Sequence, residues 1–339
     1  MNYISGIVLH TISREGGSMS GSWSLASANL TSVAVLVFIL GFIGALIKSD
    51  VRIPDPVYQI ISIYLLFGIG LKGGHALKSV TAHSFLKPAL ATLALGILIP
   101  LLAFLVLKLI RKLSDMDRGA IAAHYGSTSL VTFSAALLYL ENNKIQFEGF
   151  AAALLTLLEI PGVVVGIYLG SRNGAQKVQW YKTVKEVITG KTVLLLAGGL
   201  IIGSITTAAG YQKVTPFFVD LQSGFLALFL MHLGFLAGSN WSEIKKVGAS
   251  VAVFGLIFPI ISGTLGVVVG HWVGLSLGGA TILGVLCASG SYIAAPAAVS
   301  VGLPKANAPL ALMSSIGVTF PFNLIVGIPL YLEIAKHLY

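Results

Sequence analysis

The sequence predicts an all-α integral membrane protein of ten transmembrane helices. These form two inverted five-helix repeats, with broken helices, spans 4 and 9, crossing at the midplane. Three observations predict this. First, the 339 residues are 56% hydrophobic and only 10% charged, against about 25% charged for a soluble protein, too few to clothe a water-exposed surface. Second, apolar runs of roughly 20 residues, the length that crosses a bilayer, recur from end to end. Third, separate motifs recur at nearly one offset. Gly126-Ser127-Thr128-Ser129 returns as Ala288-Ser289-Gly290-Ser291 after 162 positions, Gly70-x-x-x-Gly74 as Gly234-x-x-x-Gly238 after 164, and Pro161 as Pro321 after 160. A shared offset is the mark of a duplicated half.

Taken in order, residues 1–28 form an N-terminal lead-in that mixes polar and apolar positions and lacks the apolar core and cleavage site of a signal peptide. Residues 29–170 are the first five-helix repeat, with spans at about 29–47, 56–74, 88–108, 117–140 and 148–170. The stretch 76–87, with Lys78, His83 and Lys87, is too polar to span and belongs at the surface. Residues 171–190 are a cytoplasmic connector. Residues 191–339 are the second repeat, with spans at about 191–210, 215–237, 247–271, 277–301 and 308–332.

Orientation follows from the basic residues. Of the 21, the loops after spans 1, 3, 5, 7 and 9 hold 14: Lys48, Arg52, Lys108, Arg111, Lys112, Arg118, Arg172, Lys177, Lys182, Lys185, Lys191, Lys245, Lys246 and Lys305. Both termini therefore face outside. Five spans per repeat is an odd number, so the second repeat inserts upside down relative to the first, an arrangement common in secondary transporters. The net charge of +9 does not point to nucleic acid, because the basic residues sit in short loops with no stripe interleaved with aromatics. A single cysteine, Cys287, excludes an intrachain disulfide, and no zinc-ligand spacing or phosphate-binding lysine loop is present.

The candidate site lies in the repeated serine motifs. Ser127, Thr128 and Ser129 in span 4, and Ser289, Gly290, Ser291 and Tyr292 in span 9, interrupt apolar helices with residues that weaken regular helix. A broken helix turns a positive dipole end toward the gap, beside hydroxyls that suit an anion. The same small residues also suit close helix packing; the recurrence favours a site. Gly317 joins the anion set. Glu159, in Leu158-Glu159-Ile160-Pro161, is a carboxylate inside span 5 with no lysine or arginine near in sequence. At that depth it costs about 2.5–3.5 kcal/mol unless paired, protonated or holding a cation; a structural carboxyl bonded to a neighbouring helix is the alternative. Thr132, Ser315, Thr319 and Asn323 supply neutral oxygens to the same cation set. His124 and His232 read as hydrogen-bonded packing elements. A nucleophilic enzyme is disfavoured, since His124 stands five residues before Ser129, off the i±4 spacing.

These motifs resemble the bacterial sodium-dependent bicarbonate transporter family from about residue 30 to the C-terminus. The likeness is carried by Gly68-Ile69-Gly70-Leu71-Lys72-Gly73-Gly74, Tyr125-Gly126-Ser127-Thr128-Ser129-Leu130-Val131-Thr132-Phe133, Leu140-Glu141-Asn142-Asn143-Lys144-Ile145, Ser291-Tyr292-Ile293-Ala294-Ala295-Pro296 and Gly317-Val318-Thr319-Phe320-Pro321-Phe322-Asn323. The resemblance implies a core and a gate domain, Na+ as the coupling ion, bicarbonate or another small anion as cargo, a homotrimer in the bacterial inner membrane, and a PII-like regulatory protein as partner. Membrane lipid is the solvent and nucleic acid is not a partner. The sequence departs from the cyanobacterial pattern in three places. Tyr292 stands for an aspartate, Ser300 for an arginine, and a long cytoplasmic insertion is missing. A transporter of another small carboxylate is the alternative reading.

Overall fold

The computed structural model describes residues 29–172, 178–246 and 248–339. The lead-in 1–28 and part of the connector lie outside these. Among the described residues the chain is helical, with no strand. Its helices are α1 (Val33–Leu46), α2 (Asp55–Leu77), α3 (Ala82–Leu107), α4 (Asp115–Gly126), α5 (Leu130–Asn142), α6 (Ala151–Ser171), α7 (Trp180–Thr189) and α8 (Lys191–Ile205). They continue as α9 (Ala208–Ser239), the short α10 (Trp241–Lys246), α11 (Ala249–Trp272), α12 (Leu277–Ala288), α13 (Ala294–Gly302) and α14 (Ala308–Lys336).

Six of these helices are long and apolar enough to cross a membrane, or seven if the bent pair α7–α8 counts as one span. The number falls short of ten for a physical reason. The serine-rich segments divide the fourth and ninth expected spans into short helices, and α1 is only 14 residues long. Two segments carry helix that the sequence reading did not specify. Within the polar stretch 76–87, Thr81 caps a new helix by accepting a hydrogen bond from Ser84 N–H (3.4 Å), and α3 starts at Ala82. The connector also holds a helix, α7, whose apolar residues fall on one side.

Two helix pairs build one side of the molecule: α1 packs along α9, and α2 along α8. The repeated Gly-x-x-x-Gly motifs make both pairings. A Cβ on Gly70 or Gly74 would fall on the Leu196 or Leu200 carbonyl of α8, and one on Gly234 or Gly238 on the Phe38 or Phe42 carbonyl of α1. Only glycine lets the backbones approach this closely. The four contacts pair first-half residues with second-half residues in matching positions, i and i+4 on each partner.

The other side is built by α3, α4 and α6 with α11, α12 and α14. α4 and α12 have 12 residues each and begin alike, with Ser114 and Ser276 each accepting from the backbone N–H three residues on, at 3.1 Å in both. Their starts are tied crosswise. Asp117 Oδ1 accepts from Asn307 N–H (2.7 Å), just before α14, and Glu148 Oε1 accepts from Ser276 N–H (2.6 Å), just before α6 begins. Outward faces carry exposed Leu36 and Leu40 of α1, Leu194 and Ile205 of α8, and Val253 and Ile257 of α11. That is the apolar surface of a chain solvated by lipid.

Prolines inside helices leave carbonyls without the N–H of the next turn, and side chains from distant segments take them up. Pro259 gives no N–H to Gly255 O, which accepts instead from Thr319 Oγ1 at 2.7 Å. Pro329 gives none to Ile325 O, which accepts from Asn29 Nδ2 at 2.9 Å. Near Pro321, α14 widens into π-turns at Ser314–Thr319 and Asn323–Gly327, the form in which helices accommodate such loss. These irregular turns carry four of the predicted site residues.

Candidate functional site

α4 stops at Gly126 and α5 starts at Leu130, leaving 127–129 as a first junction. α12 stops at Ala288 and α13 starts at Ala294, leaving 289–293 as a second. Ser127 and Ser289, the first residues of each, are both extended, at φ −97°, ψ 178° and φ −90°, ψ 160°. Ser129 caps α5 by accepting from Thr132 N–H at 3.1 Å. Ser291 performs the equivalent task for α13, accepting from Ala294 and Ala295 N–H at 3.3 Å each. Both serines thus mark a helix start, where backbone N–H groups and the helix dipole favour negative charge.

The two junctions touch. Ser129 N–H donates to Ser289 Oγ (3.0 Å), Ser291 N–H donates to the His124 carbonyl (2.8 Å), and Ser129 Oγ donates to Tyr292 OH (2.9 Å). Ser289 Oγ itself donates to Leu286 O at 2.9 Å. Segments 160 residues apart are therefore joined by backbone and side-chain bonds in a region from which bulk solvent is absent. Ser127, Thr128, Ser129, Ser289 and Ser291 are all buried, and the Tyr292 ring packs edge-on to Phe320 at 5.7 Å.

Glu159 stands beside the first junction and is 1% exposed. Its Oε2 accepts from Thr128 Oγ1 (3.0 Å) and Thr128 N–H (3.4 Å). The Ser127 hydroxyl stands near the same carboxyl without hydrogen-bonding geometry. What touches Glu159 is neutral, and no cationic side chain among the described residues offsets it. Gly162, on the next turn of α6, has its α-carbon face pressed on the Gly126 carbonyl, so that a Cβ at either position would collide with backbone. This glycine pair is what brings the carboxylate helix against the junction.

The second junction is held differently. Ser315 Oγ donates to Gly290 O (2.9 Å) and Asn323 Nδ2 to Ala288 O (2.8 Å), while Tyr331 OH donates to Asn323 Oδ1 (3.1 Å) and so fixes its amide. Gly317 lies half-buried in the turn that carries Ser315. Pro321 gives no N–H to its carbonyl in the α-helical register.

The predicted anion residues are therefore brought together, Gly317 apart. The predicted cation residues divide. Glu159 and Thr132 belong to the first junction, with Thr132 Oγ1 buried and without a partner. Ser315 and Asn323 serve carbonyls of the second. Thr319 faces α4 and α11 through Tyr125 OH (2.5 Å) and Gly255 O. His124 contributes its carbonyl, and His232 stacks on Tyr58 at 4.3 Å, away from both junctions. Sequence reading missed Tyr125 and Tyr331, which bolt α14 to α4 and α11 through Ser314 O, Thr319 and Pro259 O. Pro259 signals an orphaned carbonyl at Gly255, which Thr319 serves; nothing in the sequence singles out Tyr331.

A cavity of about 340 Å³ opens beside α5, lined by Lys72, Ser134, Glu141, Asp220, Gln222 and Ser223 among others. Ser134 lies just over one turn beyond Ser129, so α5 runs from the first junction along this cavity. Lys72 of α2 reaches Glu141 of α5 across it at 3.2 Å.

Apolar helices of spanning length, lipid-exposed aliphatic faces and buried polar junctions together describe a multi-pass membrane protein. Residues 33–336 match the Na+-dependent bicarbonate transporter superfamily, and the chain belongs to that family. No curated protein matches the sequence.

Proposed function

We propose that the protein is a Na+-coupled symporter that takes up a small anion, bicarbonate, through a site formed where the two junctions meet. In this reading each junction and its flanking helices form one broken span. Ten spans then fall into two inverted repeats, residues 29–170 and 191–339. The matched Gly-x-x-x-Gly contacts, the equal α4 and α12 and their crosswise ties support the duplication. Both termini lie outside, and the connector 171–190 faces the cytoplasm of a bacterial inner membrane. A homotrimer and a PII-like regulator follow from the family resemblance alone.

The observation that carries the proposal is a pair of hydrogen bonds inside a buried region: Ser129 N–H donates to Ser289 Oγ and Ser291 N–H to the His124 carbonyl, so each helix-start serine is tied to the opposite broken segment. A compact monovalent anion is suited to N–H groups at helix starts with serine and threonine hydroxyls around them. The anion set is Ser127, Thr128, Ser129, Ser289, Gly290, Ser291, Tyr292 and Gly317. Na+ seeks hard oxygen ligands, and the first junction offers the Glu159 carboxylate with the unpartnered Ser127 and Thr132 hydroxyls. Ser315, Thr319 and Asn323 complete that set only if α14 shifts, because each already serves another group. Cation and anion side by side offset each other's cost of leaving water.

Uptake of labelled bicarbonate into proteoliposomes, with and without an inward Na+ gradient, tests this. Gradient-driven accumulation is expected; absent or gradient-independent flux would overturn it. Competition by small carboxylates is expected to be weak, and strong competition would move the cargo to that class. For topology, a Trp180→Cys label is expected to be inaccessible from outside intact cells.

A further inference from the structure

The connector helix α7, Trp-Tyr-Lys-Thr-Val-Lys-Glu-Val-Ile-Thr, has a surface that transport does not explain. At about 100° per residue, Thr183 and Val187 share one edge and are buried. The helix packs there on α13, α6 and α8. The next arc holds Trp180, Val184, Ile188 and Tyr181. Trp180, Tyr181 and Ile188 are 37%, 80% and 50% exposed. Lys182, Lys185 and Glu186 occupy the remaining side and are exposed. Half of the apolar arc therefore faces away from the protein, bordered by lysines.

What covers it is indicated by the bend. α7 meets α8 at 50° across Gly190. α8 is an apolar helix whose Leu194, Ile201, Ile202 and Ile205 are exposed, and in a membrane protein that face is in lipid. The uncovered arc of α7 lies just before this lipid-facing surface, turned out of its direction, as expected of a helix lying along the interface. Tryptophan and tyrosine prefer that depth, and amphipathic interfacial helices carry lysines on the polar face. Lys182 and Lys185 against the single Glu186, with Lys191 following at the start of α8, give a positive border that complements an anionic leaflet.

We propose that α7 is an interfacial helix that binds the anionic headgroup surface of the bilayer and thereby anchors α13. The link to α13 is direct: Gln179 and Lys182 share a cavity of about 270 Å³ with Val301, Gly302, Leu303 and Pro304. α13 restarts the chain after the second junction, so a lipid contact at α7 bears on the helix whose first N–H groups donate to Ser291 Oγ. The proposal rests on the reading of the chain as membrane-spanning and not on the identity of its cargo.

The test uses the full chain with Trp23, Trp241 and Trp272 replaced by phenylalanine, leaving Trp180 as the only tryptophan. The protein is reconstituted in phosphatidylcholine with or without phosphatidylglycerol. Lipids brominated near the headgroup are expected to quench Trp180 more than lipids brominated near the chain end, and brominated phosphatidylglycerol more than its zwitterionic counterpart. Lys182→Gln with Lys185→Gln is expected to remove that preference, by about fivefold per lysine. Val184→Cys carrying a nitroxide, read by oxygen against a water-soluble relaxant, repeats the depth measurement without the tryptophan replacements. Absence of quenching with a water-accessible nitroxide overturns the proposal, as does quenching indifferent to lipid charge. Protection of the nitroxide from both relaxants would mean that a second copy or another protein covers the arc, and would also overturn it. Neither readout involves Na+ or bicarbonate, so failure here is separable from failure of the transport assay.

Discussion

The two junctions share backbone geometry and differ in what is set against them. At the first, α6 presents an acceptor: Glu159 takes the N–H and hydroxyl of Thr128. At the second, α14 presents donors: Ser315 and Asn323 occupy the carbonyls of Gly290 and Ala288. The consequence is electrostatic. In the proposed reading, the buried Glu159 carboxylate makes the first junction the cation side. At the second junction the carbonyls are taken by neutral donors and no carboxylate among the described residues faces it, which in the proposed reading leaves it the less suited of the two to a cation. Two similar junctions are thus made unlike by the third element that backs each of them.

The backing also differs mechanically. Gly162 meets Gly126 backbone to backbone, whereas Gly290 meets the Ser315 side chain, which a Cβ would approach at 2.7 Å. The largest expected effect is therefore Gly162→Val, which drives a side chain into a carbonyl that cannot move without bending α4. A loss of about 3 kcal/mol or more is expected, read as a collapse of the thermal midpoint in detergent. Gly290→Ala is expected to leave the fold intact while displacing Ser315, and equal damage from both would erase the mechanical contrast. Gly198→Ala, with nothing near its Cβ, is the control and is expected to be neutral or stabilising by about 0.5–1 kcal/mol.

Next come the two capping serines. Ser129→Ala removes a cap and the donor to Tyr292, and Ser291→Ala removes the acceptor of the Ala294 and Ala295 N–H groups at the start of α13. Each is expected to weaken bicarbonate dependence by about 1–3 kcal/mol with little change in Na+ dependence. If Ser129→Ala mainly moved the Na+ dependence, Ser129 would belong to the cation set beside Glu159 and not to the anion set. The smallest effect is expected at Lys72–Glu141, whose side chains are 37% and 47% exposed. A double-mutant cycle of Lys72→Met and Glu141→Gln should give a coupling of about 1 kcal/mol or less, falling with salt. A larger coupling would mean that this pair, and not the junctions, controls passage along α5.

Much of this was legible in the sequence because it is local or periodic. The serine-glycine runs 126–129 and 289–291 fall at the two interruptions, 127–129 and 289–293, because such residues weaken regular helix. Glu159 stood out because a carboxylate in an apolar run has no ordinary reason to be there. What was not legible depends on three-dimensional meetings. The grouping of Ser315 and Asn323 with the second junction follows from where α14 crosses α12, and no spacing reveals that. The short lengths of α4, α5, α12 and α13 escape hydropathy averaging, which reads across a three- to five-residue gap when both sides are apolar. α7 was hidden for the opposite reason, since its charged face lowers the mean hydropathy of a segment whose apolar residues all lie on one side.

The central claim, that the first junction carries the cation through Glu159, is tested most directly by the Na+ dependence of uptake in Glu159→Gln. The replacement keeps the volume and loses the charge. The account predicts a rise of tenfold or more in the Na+ needed for half-maximal uptake, about 1.4 kcal/mol, with a smaller change in bicarbonate dependence through linkage. Unchanged Na+ dependence in well-folded protein would contradict it and make Glu159 a structural acceptor for Thr128.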